Sequence, residues 1–277
     1  MKPMLAHRFA DYSSRITYPV FIQPKLNGVR MIYQMGFCQS RDEILYRHSV
    51  VKHLINELET LVAPEIILDG ELYVHGWSLQ QINSAAGVNR KAPSPRTASI
   101  QYHVFDVIDS SQQHLPFSAR ASLLHSLEER IQARGCTSIR TVPTQLCTQP
   151  EAELLYPLYR SEGYEGIMYR SVNAPYGFLE NCGNKENRWS CLLKRKEWMD
   201  EWCEVQGFCL TTGEKGEPGF QMTCKLGSAV FTVGSGLSHM EMEEYFRTGP
   251  PSRVKVKYEM LSDKGVPLKP TIIETEE

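Results

Sequence analysis

The sequence of 277 residues predicts an α+β protein of two domains, with the boundary between residues 198 and 199. Before the boundary, β-type segments alternate with segments whose apolar residues recur at helical spacing, as in a mixed domain of strands and helices. After it, short apolar strands are separated by glycine- and proline-containing turns, which is typical of a small β-barrel. The hydrophobic share of 42% is that of a globular chain long enough to bury a substantial core.

The elements of the first domain follow from local patterns along the chain. Strands over 21–25 and 29–33 flank a turn at Asn27-Gly28. Ser49 is expected to cap a helix whose apolar stripe ends before Ala63-Pro64. The remaining elements are a strand at 66–68, a short helix at 78–86, a strand at 102–108, helices at 118–134 and after Thr148, and strands at 167–170 and 191–197.

The second domain is predicted to be built from strands at 202–210, 220–225, 229–233 and 253–260. The glycines from Gly213 to Gly219 indicate a hairpin loop. Lys255 and Lys257 alternate with apolar residues along the last strand. They are expected on its solvated face, with contact to a phosphate backbone as the alternative.

Composition excludes several classes of protein. The eight cysteines form no Cys-x-x-Cys pair, so a structural zinc site is not expected. No apolar run approaches the roughly 20 residues of a membrane span, and the first residues lack the apolar core of a secretory signal. We therefore expect a monomeric, cytoplasmic protein. With a formal charge of −2, it would bind nucleic acid through local basic surfaces.

Lys25 is the candidate nucleophile. It precedes a tight turn in Pro24-Lys-Leu-Asn-Gly-Val-Arg30. An amine attacks phosphorus only when it is neutral, whereas an ordinary lysine is protonated at pH 7. Lys194 and Lys196 are two apart on a strand, so they share a face and could supply the positive charge that favours a neutral amine. Standing alone, Lys25 would simply be a solvated residue at a strand end.

Three carboxylates are candidate metal ligands. Asp69 and Glu71 lie two apart in Leu68-Asp-Gly-Glu-Leu72 and so share a strand face, and Glu165 precedes an apolar strand. Carboxylate oxygens suit a hard divalent cation such as Mg²⁺ or Mn²⁺. The alternative for Asp69 is an ordinary Asp-Gly turn.

Two further groups suggest a nucleotide. Phe105 and Met168 could sandwich a purine by stacking and soft contact, although such residues in strands usually belong to a core. Arg30 and Arg41 could hold phosphate or ribose oxygens, although surface ion pairs are an equally simple explanation for each alone.

Taken in order, these segments resemble the ATP-dependent DNA ligases of the covalent nucleotidyltransferase superfamily, especially the short phage and viral type. The resemblance extends from Pro3-Met-Leu-Ala-His7 to Lys196. Each motif is short, but six of them occur in the order of that family. They are Lys25-Leu-Asn-Gly-Val-Arg, Ser40-Arg41, Leu68-Asp-Gly-Glu-Leu, Tyr102-His-Val-Phe-Asp, Glu165-Gly-Ile-Met and Leu193-Lys-Arg-Lys.

The resemblance implies a nucleotidyltransferase (adenylation) domain of mixed, mainly antiparallel sheets with helices at 1–198, and an OB-fold at 199–277. It implies ATP and Mg²⁺ (or Mn²⁺) as cofactors and nicked double-stranded DNA as the partner.

The resemblance also implies a role for each site residue. Lys25 would be the adenylated nucleophile, and Gln23, beside Pro24, would read the adenine amino group. Phe105 and Met168 would sandwich the adenine.

The charged residues would bind phosphates, ribose and metal. Arg30 and Arg41 would contact the nucleotide and the 5′-phosphate. Glu71, with Asp69 beside it, would bind ribose or metal, and Glu165 would bind metal. Lys194 and Lys196 would clamp the α-phosphate.

Two positions depart from the family pattern. Asn27 stands where the family usually has Asp, which keeps the shape but removes a charge. The last motif, normally rich in Arg or Lys, is reduced to Leu268-Lys-Pro-Thr-Ile-Ile, where Lys269 is the obvious cation left to orient pyrophosphate.

Three alternatives share part of this pattern. An RNA ligase would use the same lysine chemistry, and an mRNA capping guanylyltransferase would use GTP instead of ATP. A catalytically inactive nick-binding module would bind duplex DNA without forming an adduct on Lys25.

Overall fold

The computed structural model describes residues 1–112, 114–178, 182, 186–212 and 218–276, without the side chains of Thr212 and Pro218. It divides into two compact units, Met1–Lys196 and Glu197–Glu277. The sequence placed the division two residues later. The predicted loop from Gly213 to Gly219 falls largely outside the described residues, because 213–217 are not among them.

The first unit contains two five-stranded sheets, which we call the nucleophile sheet and the helix-backed sheet. The nucleophile sheet has the order β1-β10-β9-β2-β8, and the helix-backed sheet has the order β4-β3-β5-β6-β7. The strands are β1 Leu5–Arg8, β2 Val20–Lys25, β3 Val29–Gln34, β4 Phe37–Gln39, β5 Ile66–Tyr73, β6 Gln101–Asp109, β7 Ile139–Thr141, β8 Gln145–Cys147, β9 Gly166–Ser171 and β10 Arg188–Lys196. The helices are α1 Phe9–Tyr12, α2 His48–Leu61, α3 Leu79–Ala86, α4 Phe117–Ala133 and α5 Gln149–Ser161.

Both sheets are mixed but mainly antiparallel, as the resemblance implied. β1 runs parallel to β10 and β6 runs parallel to β7, while the other pairs in the two sheets are antiparallel. The class α+β is therefore confirmed for this unit.

The side chains of the helix-backed sheet alternate between two cores. On β3, Met31 and Tyr33 pack against a core that includes α2, α3 and α4. Ile32, between them, points the other way and packs with Met4, just before β1, and with Leu192 of β10. The opposite face of the nucleophile sheet packs with α5. Because strand side chains have a period of two, this layering aims every second residue into the space between the sheets.

Local signals placed most helix boundaries correctly. Ser78 and Thr148 form capping boxes with Gln81 and Glu151 at the starts of α3 and α5. The prediction for Ser49 was wrong, because α2 begins at His48 and its N-cap is Arg47, which makes no side-chain capping bond. Burial of the apolar stripe, rather than a cap, holds this end of the helix.

The second unit contains one five-stranded sheet with the order β13-β12-β11-β14-β15. The sequence did not predict α6, although Ser238 and Glu241 form a capping box at its start. Its elements are β11 Met199–Thr212, β12 Pro218–Leu226, β13 Ala229–Val233, α6 His239–Thr248, β14 Arg253–Tyr258 and β15 Thr271–Glu276.

This sheet is a partly open barrel rather than the closed one that "β-barrel" suggests. If the sheet were flat, its edge strands β13 and β15 would lie four strand spacings apart, about 19 Å. Instead, Ile272 N donates a hydrogen bond to Ser235 O at 2.9 Å, just beyond the end of β13. The sheet therefore curls until its edges meet near Ser235 and Ile272, which is the open five-stranded form of an OB-fold.

The outward face of β14 is a charge-paired ladder. Lys255 lies 3.3 Å from Glu274 of β15 and 4.0 Å from Asp200 of β11, and Arg253 lies 3.1 Å from Glu276. Lys257 stands 5.5 Å from the ring of Trp198. The expected solvated face is what the described residues show, with carboxylates already paired to Lys255.

Candidate functional site

A cavity of about 500 Å³ opens in the first unit, and residues from both sheets line it. The predicted site residues on its walls are Gln23, Pro24, Lys25, Arg30, Arg41, Glu71, Phe105, Met168 and Lys194. They come from six segments far apart in the chain. The fold thus brings together the motifs that the sequence shows only in order.

Strand register builds the floor of the cavity. Gln23 of β2 is the ladder partner of Met168 of β9, and Met168 is the ladder partner of Lys194 of β10. One row along, Lys25 pairs with Gly166, and Gly166 pairs with Lys196. Because neighbouring strands lie about 4.8 Å apart, each row presents its side chains side by side.

Lys25, Glu165 and Lys196 form one ionic cluster. Lys25 Nζ contacts Glu165 Oε2, and Lys196 Nζ lies 3.1 Å from Glu165 Oε1. Burial alone would raise the pKa of Glu165, but the two ammonium groups lower it more, so the pKa is below its ordinary value. The carboxylate is therefore held as an anion next to the nucleophile, although Glu165 and Lys196 do not themselves line the cavity.

Gly166 permits the close pairing of β9 with β10 in this cluster. Its φ is +157°, and a Cβ added there would stand 2.0 Å from Arg195 O. Any side chain would push the two strands apart, and with them Glu165 and Lys196. The glycine of the Glu-Gly-Ile-Met motif is thus required by close packing.

Glu71 lies on the opposite wall, held by the turn after Lys25. Gly28 N donates to Glu71 Oε1 at 3.2 Å. Burial raises the pKa of Glu71 to about 7, although Lys25 and Arg30 oppose the shift. The side chain is therefore poised between its protonated and ionised forms near neutral pH.

The structure gives Asp69 a different place from the predicted one. Its side chain is fully buried, and it accepts two bonds from Arg30, the longer of them from Nε at 2.6 Å. Tyr176 Oη donates to the same carboxylate at 2.6 Å. Asp69 does not line the cavity. Its oxygens are used to orient Arg30, so the geometry does not support Asp69 as a metal ligand.

A β-bulge aims Phe105 into the cavity. Asp69 pairs with Asp106 and Gly70 with Val104, so Phe105 is the extra residue of β6. Bulges commonly redirect one side chain next to a functional site. The ring of Phe105 lies 4.7 Å from the Arg30 guanidinium carbon and 5.3 Å from that of Arg170.

Arg41 marks a second, strongly basic part of the cavity wall. It is exposed, and Ser40, Asp42 and Arg188 line the cavity with it. Counting the wall residues, Lys25, Arg30, Arg41, Arg170, Arg188 and Lys194 outnumber Asp42 and Glu71. Carboxylates behind the wall pair with three of these cations, Lys25, Arg30 and Arg170. The wall therefore offers many cationic hydrogen-bond donors rather than a large net charge, and such donors suit the phosphates of a nucleotide or of DNA.

Sequence reasoning missed several residues of the site. Arg170, Arg188 and Asn83 line the cavity, and Thr144 bonds to Gln23. A signal existed for Arg170 alone, because it follows Glu165-Gly-Ile-Met at period two from Met168. Asn83 and Thr144 belong to no motif, and only the folding of the chain brings them here.

Lys269, predicted to orient pyrophosphate, belongs to the second unit, where its Nζ lies 2.9 Å from Glu259 Oε2. Within the described ranges, no group of three or more His, Cys, Asp or Glu side chains is arranged to hold a metal ion.

Among these residues there is also no helix long and apolar enough to cross a membrane.

Comparison with known sequences gives one family. A family model described as "ATP dependent DNA ligase domain" matches residues 3–191. A DNA ligase of African swine fever virus, from a South African tick isolate, is 32% identical over 186 residues, and the same protein from a Namibian warthog isolate gives the same identity. Each match covers 63% of this chain and 42% of the viral protein, so the chain spans less than half the length of these relatives.

Solved structures show the same fold. A Lig E DNA ligase superimposes with a TM-score of 0.76 at 18% identity, covering 100% of this chain and 99% of that one. The Chlorella virus DNA ligase-adenylate gives 0.55 at 20% identity, covering 100% and 98%. The bacteriophage T7 ATP-dependent DNA ligase in complex with ATP gives 0.55 at 15% identity, covering 99% and 98%.

Proposed function

The chain belongs to the family of ATP-dependent DNA ligase domains, and on that premise we propose that it seals nicks in duplex DNA through a lysyl-AMP intermediate. The observation that carries the proposal is the position of Lys25. Its side chain is 21% exposed, lines the basic cavity and contacts Glu165. A solvated lysine can also pair with a carboxylate, as Lys269 does with Glu259, but it would not line a cavity of nucleotide size.

The chemistry proceeds in three transfers. The Lys25 amine loses a proton and bonds to the α-phosphorus of ATP, while the bond to the β-phosphate breaks and pyrophosphate leaves. A 5′-phosphate oxygen at the nick then takes the AMP, which breaks the P–N bond. Finally, the 3′-hydroxyl attacks that activated phosphate, a phosphodiester forms and AMP leaves. The protein acts mainly by alignment and by charge stabilisation.

Residues in and beside the cavity have separate parts in these transfers. Lys194 and Lys196 neutralise charge that develops on the α-phosphate, while Arg30, fixed by Asp69, faces the nucleotide. Phe105 and Met168 hold the adenine between them. Arg41 holds the 5′-phosphate of the nick.

Glu71 and Glu165 would hold Mg²⁺, or Mn²⁺ in its place. Mg²⁺ usually binds one or two carboxylates together with substrate phosphates and water, and this donor set fits that pattern. When bound, the ion supplies charge neutralisation at the phosphates. Glu165 would hold the ion with the carboxylate that now contacts Lys25, and the Lys25 amine would then lack this partner.

The remaining roles are extensions of the same proposal. The first unit is the adenylation domain, the second is the OB-fold, and Lys269 orients the leaving pyrophosphate. The partner is nicked double-stranded DNA, bound as a monomer mainly through phosphates, so that affinity falls steeply with salt. We also propose that the protein acts in a cytoplasm, that of the host if the chain is viral.

Mass spectrometry of the purified protein with ATP and Mg²⁺ tests the reaction. We expect an added AMP in the wild type, none in Lys25→Ala, and sealing of a nicked DNA duplex in preference to RNA. Labelling by GTP instead of ATP would indicate a guanylyltransferase. Duplex binding with no adduct would indicate a nick-binding module.

A further inference from the structure

A directed chain of hydrogen bonds fixes the side-chain amide of Gln23. Arg170 Nε donates to its Oε1 at 2.6 Å. Its Nε2 donates to Phe105 O and to Thr144 Oγ1, both at 2.9 Å. The Thr144 hydroxyl donates onward to Val142 O at 2.9 Å, so toward Gln23 it acts as an acceptor. Every bond in the chain therefore has one possible direction.

The chemistry of the partners excludes a flipped amide. Arg170 Nε can only donate and the Phe105 carbonyl can only accept. A flip would set N–H against N–H on one side and carbonyl against carbonyl on the other. Both would leave buried polar groups unsatisfied, at a cost of about 1–3 kcal/mol each.

Arg170 is itself held rigidly. Its Nη1 lies 2.6 Å from Asp106 Oδ2, and Arg120 binds the same carboxylate through Nε at 2.7 Å and Nη2 at 3.2 Å. Gln23 is 1% exposed, Asp106 0% and Arg170 5%. Rigid, fully buried networks of this kind hold one arrangement.

The locked amide can still accept one bond but cannot donate any. Both hydrogens of Nε2 are used, whereas Oε1 accepts one bond and keeps a second lone pair. Gln23 lines the cavity between the two residues assigned to the purine, as the ladder partner of Met168 and bonded to the Phe105 carbonyl. A purine between Phe105 and Met168 therefore meets an acceptor at this edge.

We propose that Arg170, anchored by Asp106, is the positioning residue that makes this site select adenine over guanine; the inference rests on the proposed function. Adenine carries an amino donor at its six position, where guanine carries a carbonyl acceptor. The lone pair of Gln23 Oε1 pairs with the amino group and opposes the carbonyl. If the amide could turn, its NH₂ would suit guanine, so the lock is what rejects GTP.

The test measures the rates of AMP and GMP adduct formation on Lys25 at matched ATP and GTP concentrations. Arg170→Lys keeps the charge toward Asp106, but a single ammonium cannot reproduce the guanidinium fork that also reaches Gln23. Thr144→Val removes the acceptor of one Nε2 hydrogen and keeps the side-chain shape. Arg120→Lys is the matched control, because Arg120 binds Asp106 but does not contact Gln23.

We expect the ATP:GTP rate ratio to fall about tenfold or more in Arg170→Lys and to stay at the wild-type value in Arg120→Lys. In Thr144→Val it should fall by a smaller factor, because Arg170 and the Phe105 carbonyl still oppose the flipped amide. A merely structural role would slow both nucleotides equally and leave the ratio unchanged. Unchanged ratios in both variants would overturn the lock, as would an equal fall in Arg120→Lys. If Arg170→Lys does not fold, the ATP:GTP rate ratio of Thr144→Val alone tests the proposal. Absence of any AMP adduct in the wild type would instead refute the proposed function.

Discussion

Lys25 is held by Glu165, a residue 140 positions further along the chain. An ammonium in an ion pair is not a nucleophile, so the structure describes a resting site in which the pair has to open before reaction. The other oxygen of Glu165 lies 3.1 Å from Lys196, which gives the carboxylate a second place to bind once Lys25 is released.

Glu165→Gln should slow formation of the AMP adduct by about 100-fold or more, because the anion that orients the two lysines and helps to hold the metal is lost. The adduct rate is measured by mass spectrometry in the presence of Mg²⁺. Glu153→Gln is the matched control, since Glu153 also pairs with a basic residue of β10, Arg195, but lies on α5 outside the cavity. An adduct rate in Glu165→Gln equal to that of the wild type would contradict this role.

Glu71→Gln should stabilise the ligand-free protein above pH 7. The ordinary pKa of 4.5 is raised to about 7 in the fold, so the folded state holds the proton between these values. In the wild type, the contribution of the protonated Glu71 to the free energy of unfolding is fully present below pH 4.5 and is lost as pH rises through 7. The glutamine does not ionise. The gain in melting temperature over wild type should therefore grow from pH 5 to pH 8, with chelator present and ATP absent.

The control for that series is Glu65→Gln, whose side chain is exposed in the turn before β5. Its melting-temperature difference should be the same at both pH values. A flat profile for Glu71→Gln would show that the pKa of Glu71 is not raised in the fold.

Asp106→Asn should destabilise the fold by about 3–5 kcal/mol, because the positive charges of Arg120 and Arg170 would remain buried without their anion. Chemical denaturation measures the loss. The comparison is Asp109→Asn at the exposed end of the same strand, where the bonds from Ser111 and Gln112 stay near solvent. Equal small effects in the two variants would mean that the buried charges find other partners.

Gly28→Ala should cost about 1–3 kcal/mol and weaken nucleotide binding. A Cβ at this position would stand 2.3 Å from Leu72 O and 2.7 Å from Glu71 Cγ, so the turn after Lys25 has to move. Gly207→Ala is the control, because a Cβ there meets nothing within 4 Å. Denaturation and ATP titration of both variants test the difference, and a Gly28→Ala protein as stable as Gly207→Ala would refute it.

Much of the site was predictable because its signals are local. A strand turns successive side chains to opposite faces, so Met168 had to share a face with Arg170, and Lys194 with Lys196, whatever the sheet around them. Capping boxes are equally local, and the one at Thr148 begins α5 as predicted. The sequence also determined the order of the six motifs and therefore the family.

Only the tertiary structure decided which partner each charged group found. The pairing of Asp69 with Arg30, which removed Asp69 from the metal ligands, depends on the register of β3 against β5. The direction of the Phe105 side chain depends on a bulge that exists only when β6 pairs with β5. The contact of Arg170 with Gln23 joins residues 147 positions apart. Hydrogen bonds and ion pairs act over a few ångströms of space, and distance in space between remote segments is set by sheet packing, which no short stretch of sequence encodes.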